Sequence, residues 1–217
     1  MLINNNYQGG GLEVGASPGT FTIDGDYAVT AEAAGTTFEL GGPEAGSGYD
    51  QLTITGTFEQ GGTLTVTDWE GYVPEAGNSF LVIQSGEAEG RFHHAEGLDH
   101  WAESGILMAP AVTDTGVTLT ARAVTHDGTG GADTLTGTAA ADTLWGGDGD
   151  DDLDGGGGDD LVFAGAGDDT IRVDDTAFAR EGEDLKRVNS ALPDDQKVGP
   201  MKPTVLDEDK LRLFINE

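Results

Sequence analysis

Between Gly19 and Ala121 the chain alternates Thr with apolar residues in short runs: Thr20-Phe21-Thr22-Ile23, Thr37-Phe38-Glu39-Leu40, Leu52-Thr53-Ile54-Thr55, Thr63-Leu64-Thr65-Val66, Phe80-Leu81-Val82-Ile83 and Val117-Thr118-Leu119-Thr120. Period two with β-branched residues is the signature of a half-buried strand. The first five runs start about 15 residues apart, with turns marked by Gly61-Gly62, Pro74 and Gly77. Such spacing suits a sandwich or a solenoid. With aromatic residues at 7%, one inward apolar residue per short strand fills a narrow solenoid better than a wide sandwich.

From Gly128 the period becomes nine. Five nonapeptides follow without a gap, starting at Gly128, Gly137, Gly146, Gly155 and Ala164. The sixth place is always Asp (Asp133, Asp142, Asp151, Asp160, Asp169), and the eighth is always aliphatic (Leu135, Leu144, Leu153, Val162, Ile171). Each unit has a Gly-rich half that must turn and a three-residue half that extends. The eighth residue points inward, so a single aliphatic column is expected as the core.

Charge makes that thin core a problem. The 217 residues include 36 Gly, 40 acids and only 10 Lys or Arg, for a net charge of -30. Such a chain has no basic face for nucleic acid or an anionic membrane, and no apolar run reaches the roughly 18 residues of a membrane span. Without Cys there is neither a disulfide nor a thiolate metal site. Residues 128–172 concentrate eleven Asp against one Arg. A hard divalent cation bound by oxygen resolves the excess, since Ca2+ takes 6 to 8 ligands from carboxylates and carbonyls.

The nonapeptide is similar to the Gly-Gly-x-Gly-x-Asp-x-aliphatic-x repeat of RTX (hemolysin-type) proteins, a parallel β-roll that binds Ca2+. The resemblance implies that two nonapeptides make one coil and that each ion lies between the loops of repeats n and n+2, which allows up to three ions. Carried over, the first site uses Thr129, Gly131 and Asp133 with Gly146, Asp148 and Asp151. The second uses Thr138, Ala140 and Asp142 with Gly155, Gly157 and Asp160. The third uses Gly147, Gly149 and Asp151 with Ala164, Ala166 and Asp169. Ala140 stands where the motif has Gly, so strain is expected at a turn that needs positive φ, and the second site is expected to be the weakest.

Residues 17–122, through Gly19 to Tyr27, Tyr49 to Gly56, Gly62 to Val66 and Tyr72-Val73-Pro74, resemble the right-handed β-helix of autotransporter passengers and related bacterial surface proteins. The expected fold is therefore all-β: a right-handed parallel β-helix (1–122), an RTX parallel β-roll (123–173) and a small α-containing C-terminal cap or secretion-signal tail (174–217). In the tail, Phe178, Leu185, Val188 and Leu192 share one face if residues 177–192 are helical, Pro193 ends the run, and Leu211, Leu213 and Phe214 form a second apolar patch.

Other chemistry is sparse. His93, His94, Glu96, Asp99 and His100 fit no recognised zinc spacing and read as a surface loop, and Asp68-Trp69-Glu70 reads as an exposed turn. There is no Gly-x-Ser-x-Gly, phosphate loop or Cys nucleophile. The expected function is a non-enzymatic, secreted or cell-surface Ca2+-binding structural or adhesive module of a Gram-negative bacterium. Its partners are calcium and cell-surface or self-association surfaces, with no nucleic acid and no transmembrane segment. The alternatives are the non-catalytic C-terminal part of a hydrolase exported by type I secretion, or a self-assembling filament or surface-layer subunit. The first residues lack the basic and apolar regions of a Sec signal, which leaves a cytosolic chain, another export route or a longer parent.

Overall fold

The alternating runs become strands because one face of each is Thr-rich and the other can be buried. In the computed structural model, which describes residues 12–14, 18–29, 34–90, 92–172 and 178–180, all six runs lie in strands. The chain divides between Arg122 and Ala123 into two compact units.

The first unit contains β1 (Leu12–Glu13), β2 (Thr20–Ile23), β3 (Tyr27–Ala28), β4 (Gly35–Leu40), β5 (Gln51–Gln60), β6 (Thr63–Asp68), β7 (Ser79–Gly90), β8 (His94–Glu96), β9 (Ile106–Thr113) and β10 (Gly116–Ala123). One sheet has the order β1-β4-β6-β8 and the other β2-β5-β7-β10-β9, with β3 beside β5. Pairing up to β8 is parallel. Thr20 lies beside Gln51 and Leu52 beside Ile83, while Leu64 lies beside Ala95. Each pair is 31 residues apart, so one coil places one main strand in each sheet, and the unit is a parallel β-helix. In β4, Thr36, Phe38 and Leu40 are buried while Thr37 and Glu39 are half-exposed, as period two requires. Phe38, Phe58, Phe80 and Phe92 are fully buried, and Tyr27 stacks on Phe58 at 5.9 Å between ring centroids. Each such burial stabilises the coil stack by about 1.5–3 kcal/mol.

Two features depart from the sequence reading. A parallel β-helix is not sustained to residue 122, because β9 and β10 are joined by Asp114 and Thr115 alone. A parallel crossover needs about a dozen residues, so the chain turns back as a hairpin and β10 runs antiparallel to β7, with Leu119 beside Phe80. The outer strand β9 carries Pro110, which has no N–H to offer a further strand. The His93–His100 segment is also not simply a loop. His94–Glu96 forms β8, because Ala95 continues the inward column of Leu64.

The second unit contains β11 (His126–Thr129), β12 (Thr134–Thr136), β13 (Thr143–Asp148), β14 (Asp152–Asp154), β15 (Leu161–Ala166), β16 (Thr170–Arg172) and β17 (Phe178–Arg180). Its two sheets, β11-β13-β15-β17 and β12-β14-β16, are parallel throughout. Leu144 lies beside Val162 and Leu153 beside Ile171, an offset of 18 residues. Two nonapeptides thus make a coil, and successive repeats alternate between the sheets. The core is consequently two facing columns rather than one: Leu144 and Val162 from one sheet, Leu135, Leu153 and Ile171 from the other, with Ala164 beside them. The extended halves are also unequal, six residues in β13 and β15 against three in β12, β14 and β16.

The helix expected over 177–192 is not how its first turn is built. Phe178–Arg180 is a strand beside Leu161–Phe163, because the edge of β15 still offers a row of unpaired backbone groups. The remainder of that helix, with Leu185, Val188 and Leu192, and the patch Leu211, Leu213 and Phe214 lie outside the described residues.

Asp50 ties the starts of β2 and β5 to the end of β4 in the first unit. Its Oδ1 accepts the Gly19 N–H at 2.6 Å and its Oδ2 the Glu39 N–H at 2.9 Å. Burial, with a smaller push from the Glu39 charge, raises its carboxyl above the ordinary value even though both backbone donors favour the charged form. Asp50→Asn keeps one acceptor and turns the other towards an N–H as a donor. Urea unfolding of the full chain is expected to show a loss of about 1–3 kcal/mol, with a larger loss for Asp50→Ala, which strands both N–H groups.

Candidate metal centre

Each loop of the roll ends in the sixth-place Asp because this is the last turning residue before a strand, and the 18-residue offset places each such Asp beside the Asp of the next coil. The contact is direct. The Asp133 N–H donates to Asp151 Oδ1, that of Asp142 to Asp160 Oδ1 and that of Asp151 to Asp169 Oδ1, all at 2.8 Å. Asp142, Asp151, Asp160 and Asp169 are all buried. A ladder of like charges is thereby held within the wall of the roll.

Backbone carbonyls share the gap. The first-place carbonyls of Gly146, Gly155 and Ala164 reach towards Gly128, Gly137 and Gly146 of the preceding coil. The second-place carbonyls of Thr129, Thr138 and Gly147 reach towards Gly147, Gly156 and Gly165 of the following one. Of the fourth-place carbonyls, those of Ala140 and Gly149 lie against Gly158 and Gly167. The structure therefore brings first-, second- and fourth-place backbone together with the Asp ladder. Two expected carbonyls already accept a backbone N–H, Thr138 from Gly157 at 2.8 Å and Ala166 from Gly149 at 2.7 Å, which leaves each a second lone pair.

The electrostatics call for a cation at Asp151. With Oδ1 accepting the Asp133 N–H, its buried Oδ2 accepts no hydrogen bond. Burial pushes the Asp151 carboxyl above the usual range, and the charges of Asp169, Asp133 and Asp150 push it the same way. A buried carboxylate oxygen without a donor costs about 1–3 kcal/mol or more, and a hard cation removes that cost. Among the described residues, no three His, Cys, Asp or Glu side chains cluster closely enough to hold a metal by themselves. A donor set of two carboxylates and four carbonyls contains only two such side chains, so the residues present fit an oxygen-liganded ion.

Strain at Ala140, expected from sequence, is absent. Glu70 is the non-Gly residue with positive φ among the described residues, whereas Gly149, Gly158 and Gly167 at the same place as Ala140 adopt φ of +120°, +120° and +148°. The Ala140 loop turns by a different route, closed by a hydrogen bond from the Ala140 N–H to Thr138 Oγ1 at 3.1 Å. Arg172, the one base of the repeats, is committed elsewhere, in a two-pronged ion pair with Asp152.

The remaining candidates have structural partners. His100 Nε2 pairs with Asp68 Oδ1 at 2.8 Å, and the Gly71 N–H and this pairing hold the Asp68 carboxyl below its usual value. Gly62 N–H donates to His93 Nδ1 at 3.3 Å. Trp69 and Glu70 lie in the turn after β6, with Trp69 packed over Gly41. Among the described residues no helix is long and apolar enough to cross a membrane.

A parallel roll with an 18-residue coil, an Asp ladder and carbonyls converging on it defines the class of nonapeptide β-rolls. The family model of the RTX calcium-binding nonapeptide repeat matches residues 127–162 and 153–175. Residues 127–175 are accordingly RTX calcium-binding repeats, and Ca2+ is their ion. No curated protein and no solved structure matches the sequence.

The raised Asp151 carboxyl has a signed consequence for stability. Because the folded roll without ion holds this proton more tightly than the unfolded chain, the group's contribution is present at acid pH and lost as pH rises above the ordinary Asp range. In chelator, the far-ultraviolet β-signal of the roll is expected to strengthen on acidification, and Asp151→Asn is expected to weaken that dependence. With Ca2+ the slope is expected to reverse, since the ion binds the deprotonated group.

Proposed function

We propose that the repeats form a Ca2+-triggered folding module of a secreted or cell-surface, non-catalytic structural or adhesive protein. In this reading residues 1–122 are a structural stalk, parallel β-helical as far as β8 and followed by the β9–β10 hairpin, 123–173 the calcium roll, and 174–217 a cap or secretion-signal tail. The observation that carries it is the buried Asp151, whose second oxygen accepts no hydrogen bond in the middle of an Asp ladder. Three ions are proposed between stacked loops. Thr129, Gly131, Asp133, Gly146, Asp148 and Asp151 hold the first, and Thr138, Ala140, Asp142, Gly155, Gly157 and Asp160 the second. Gly147, Gly149, Asp151, Ala164, Ala166 and Asp169 hold the third.

Eleven Asp against one Arg over residues 128–172 oppose stacking of the coils, and the two aliphatic columns are too slight to overcome that repulsion. Bound Ca2+ supplies divalent charge and oxygen coordination between the loops. Binding free energy is then folding free energy. A chain kept unfolded at low cytosolic Ca2+ passes a narrow export channel, and folds outside, where extracellular Ca2+ modules bind at about 10⁻⁴–10⁻³ M.

Far-ultraviolet circular dichroism during a Ca2+ titration, paired with calorimetric stoichiometry, tests this reading. A β-signal that rises with Ca2+ and saturates at up to three ions is expected; a signal already complete in excess chelator would sink it.

A further inference from the structure

The five loops share their sixth-place Asp but close on it in two different ways. In the first coil, Asp133 Oδ2 accepts the Thr129 N–H at 2.7 Å and the Thr129 hydroxyl at 2.8 Å. Asp142 Oδ2 likewise accepts the Thr138 N–H at 2.6 Å and hydroxyl at 2.8 Å. In the next coil Asp151 Oδ2 is buried without any donor. The same carboxylate is thus satisfied by the protein in one coil and left for a cation in the next.

The cause lies at the second place. It is Thr in repeats one and two, and Gly147, Gly156 and Gly165 afterwards. Those glycines have φ of +99°, +81° and +97°. A Cβ on any of them would fall well inside 3.0 Å of the second-place carbonyl one coil earlier, belonging to Thr129, Thr138 and Gly147 respectively. No side chain fits there. Repeats one and two have no nonapeptide coil before them, so their second place has room for a side chain that can close the loop.

We infer that Thr129 and Thr138 are positioning residues for Ca2+, standing in for a cation at the first coil and holding Asp133 and Asp142 in place before any ion arrives. This deepens the Ca2+-folding reading and rests on it. The first coil then presents a preordered half of each of the first two sites, onto which the second coil closes. The third loop, which ends in Asp151, has no such closure and orders only with the ion. The charged acceptor makes the two hydroxyl bonds strong ones.

The test compares T129V/T138V, which removes both hydroxyls at nearly unchanged shape and keeps both N–H groups, with T129S/T138S, which restores them. Circular dichroism gives the Ca2+ concentration for half-maximal folding of the full chain, and calorimetry counts the ions. The Val pair is expected to need about tenfold more Ca2+ with the same ion count, and the Ser pair to return close to the wild-type midpoint. A Val pair that never reaches the folded spectrum while the Ser pair does is the extreme of the same loss. Val and Ser pairs behaving alike, whether both normal or both impaired, overturn the inference. So does a Val pair that binds an additional ion, because Thr would then compete with Ca2+ for the carboxylate. Failure of the underlying reading looks different: the wild-type chain itself would show no response to Ca2+.

Discussion

The repulsion between stacked carboxylates governs the C-terminal unit. An 18-residue coil sets each Asp beside the Asp of the next coil, where a backbone N–H meets one oxygen of the later one, and at Asp151 the buried second oxygen accepts no hydrogen bond. Everything else in the roll accommodates the second oxygen. The loops are built from glycines so that carbonyls approach closely, and the core is only as wide as two aliphatic columns. Positive charge from the protein is spent on the outside, where Arg172 meets Asp152.

The N-terminal unit solves the same architectural task differently. Its coils are longer, about 31 residues, and wide enough to enclose four fully buried Phe side chains. Its buried carboxylate Asp50 has both oxygens hydrogen-bonded to backbone N–H groups. Two solenoids in one chain therefore differ in what their buried carboxylates meet: backbone N–H donors on both oxygens at Asp50 in one, a second oxygen without a donor at Asp151 in the other. The repeats account for about a third of the net charge, eleven Asp against one Arg over residues 128–172 in a chain of net charge -30, and they carry their Asp at places where a cation is useful.

Much of this was legible in the sequence, and the exceptions share a cause. Thr–apolar alternation located six strands because side-chain parity is a local property. The nine-residue period located the Asp ladder because a repeat states its own register. The reversal at β9–β10 was missed although its signal is present: Asp114-Thr115-Gly116 between two apolar runs leaves no length for a crossover. The two columns of the roll were missed because period nine describes the loop, whereas the sheet assignment depends on the coil of two repeats. Ala140 was expected to be strained on the assumption that all five loops share one backbone path, and the Thr138 closure shows that they do not. Phe178 carried helical periodicity, but an open parallel edge beside it outweighed that weak preference.

Alternation between the sheets has a consequence for how such a chain can change length. Adding or deleting two nonapeptides changes the roll by one coil, about 4.8 Å, and leaves every later strand on its own side. Adding or deleting one exchanges the sides, so that β16 would join the sheet of β13 and β15, and whatever follows would depart from the opposite face. Repeat number is thus a parity as well as a length, and five repeats fix the sheet that β17 joins.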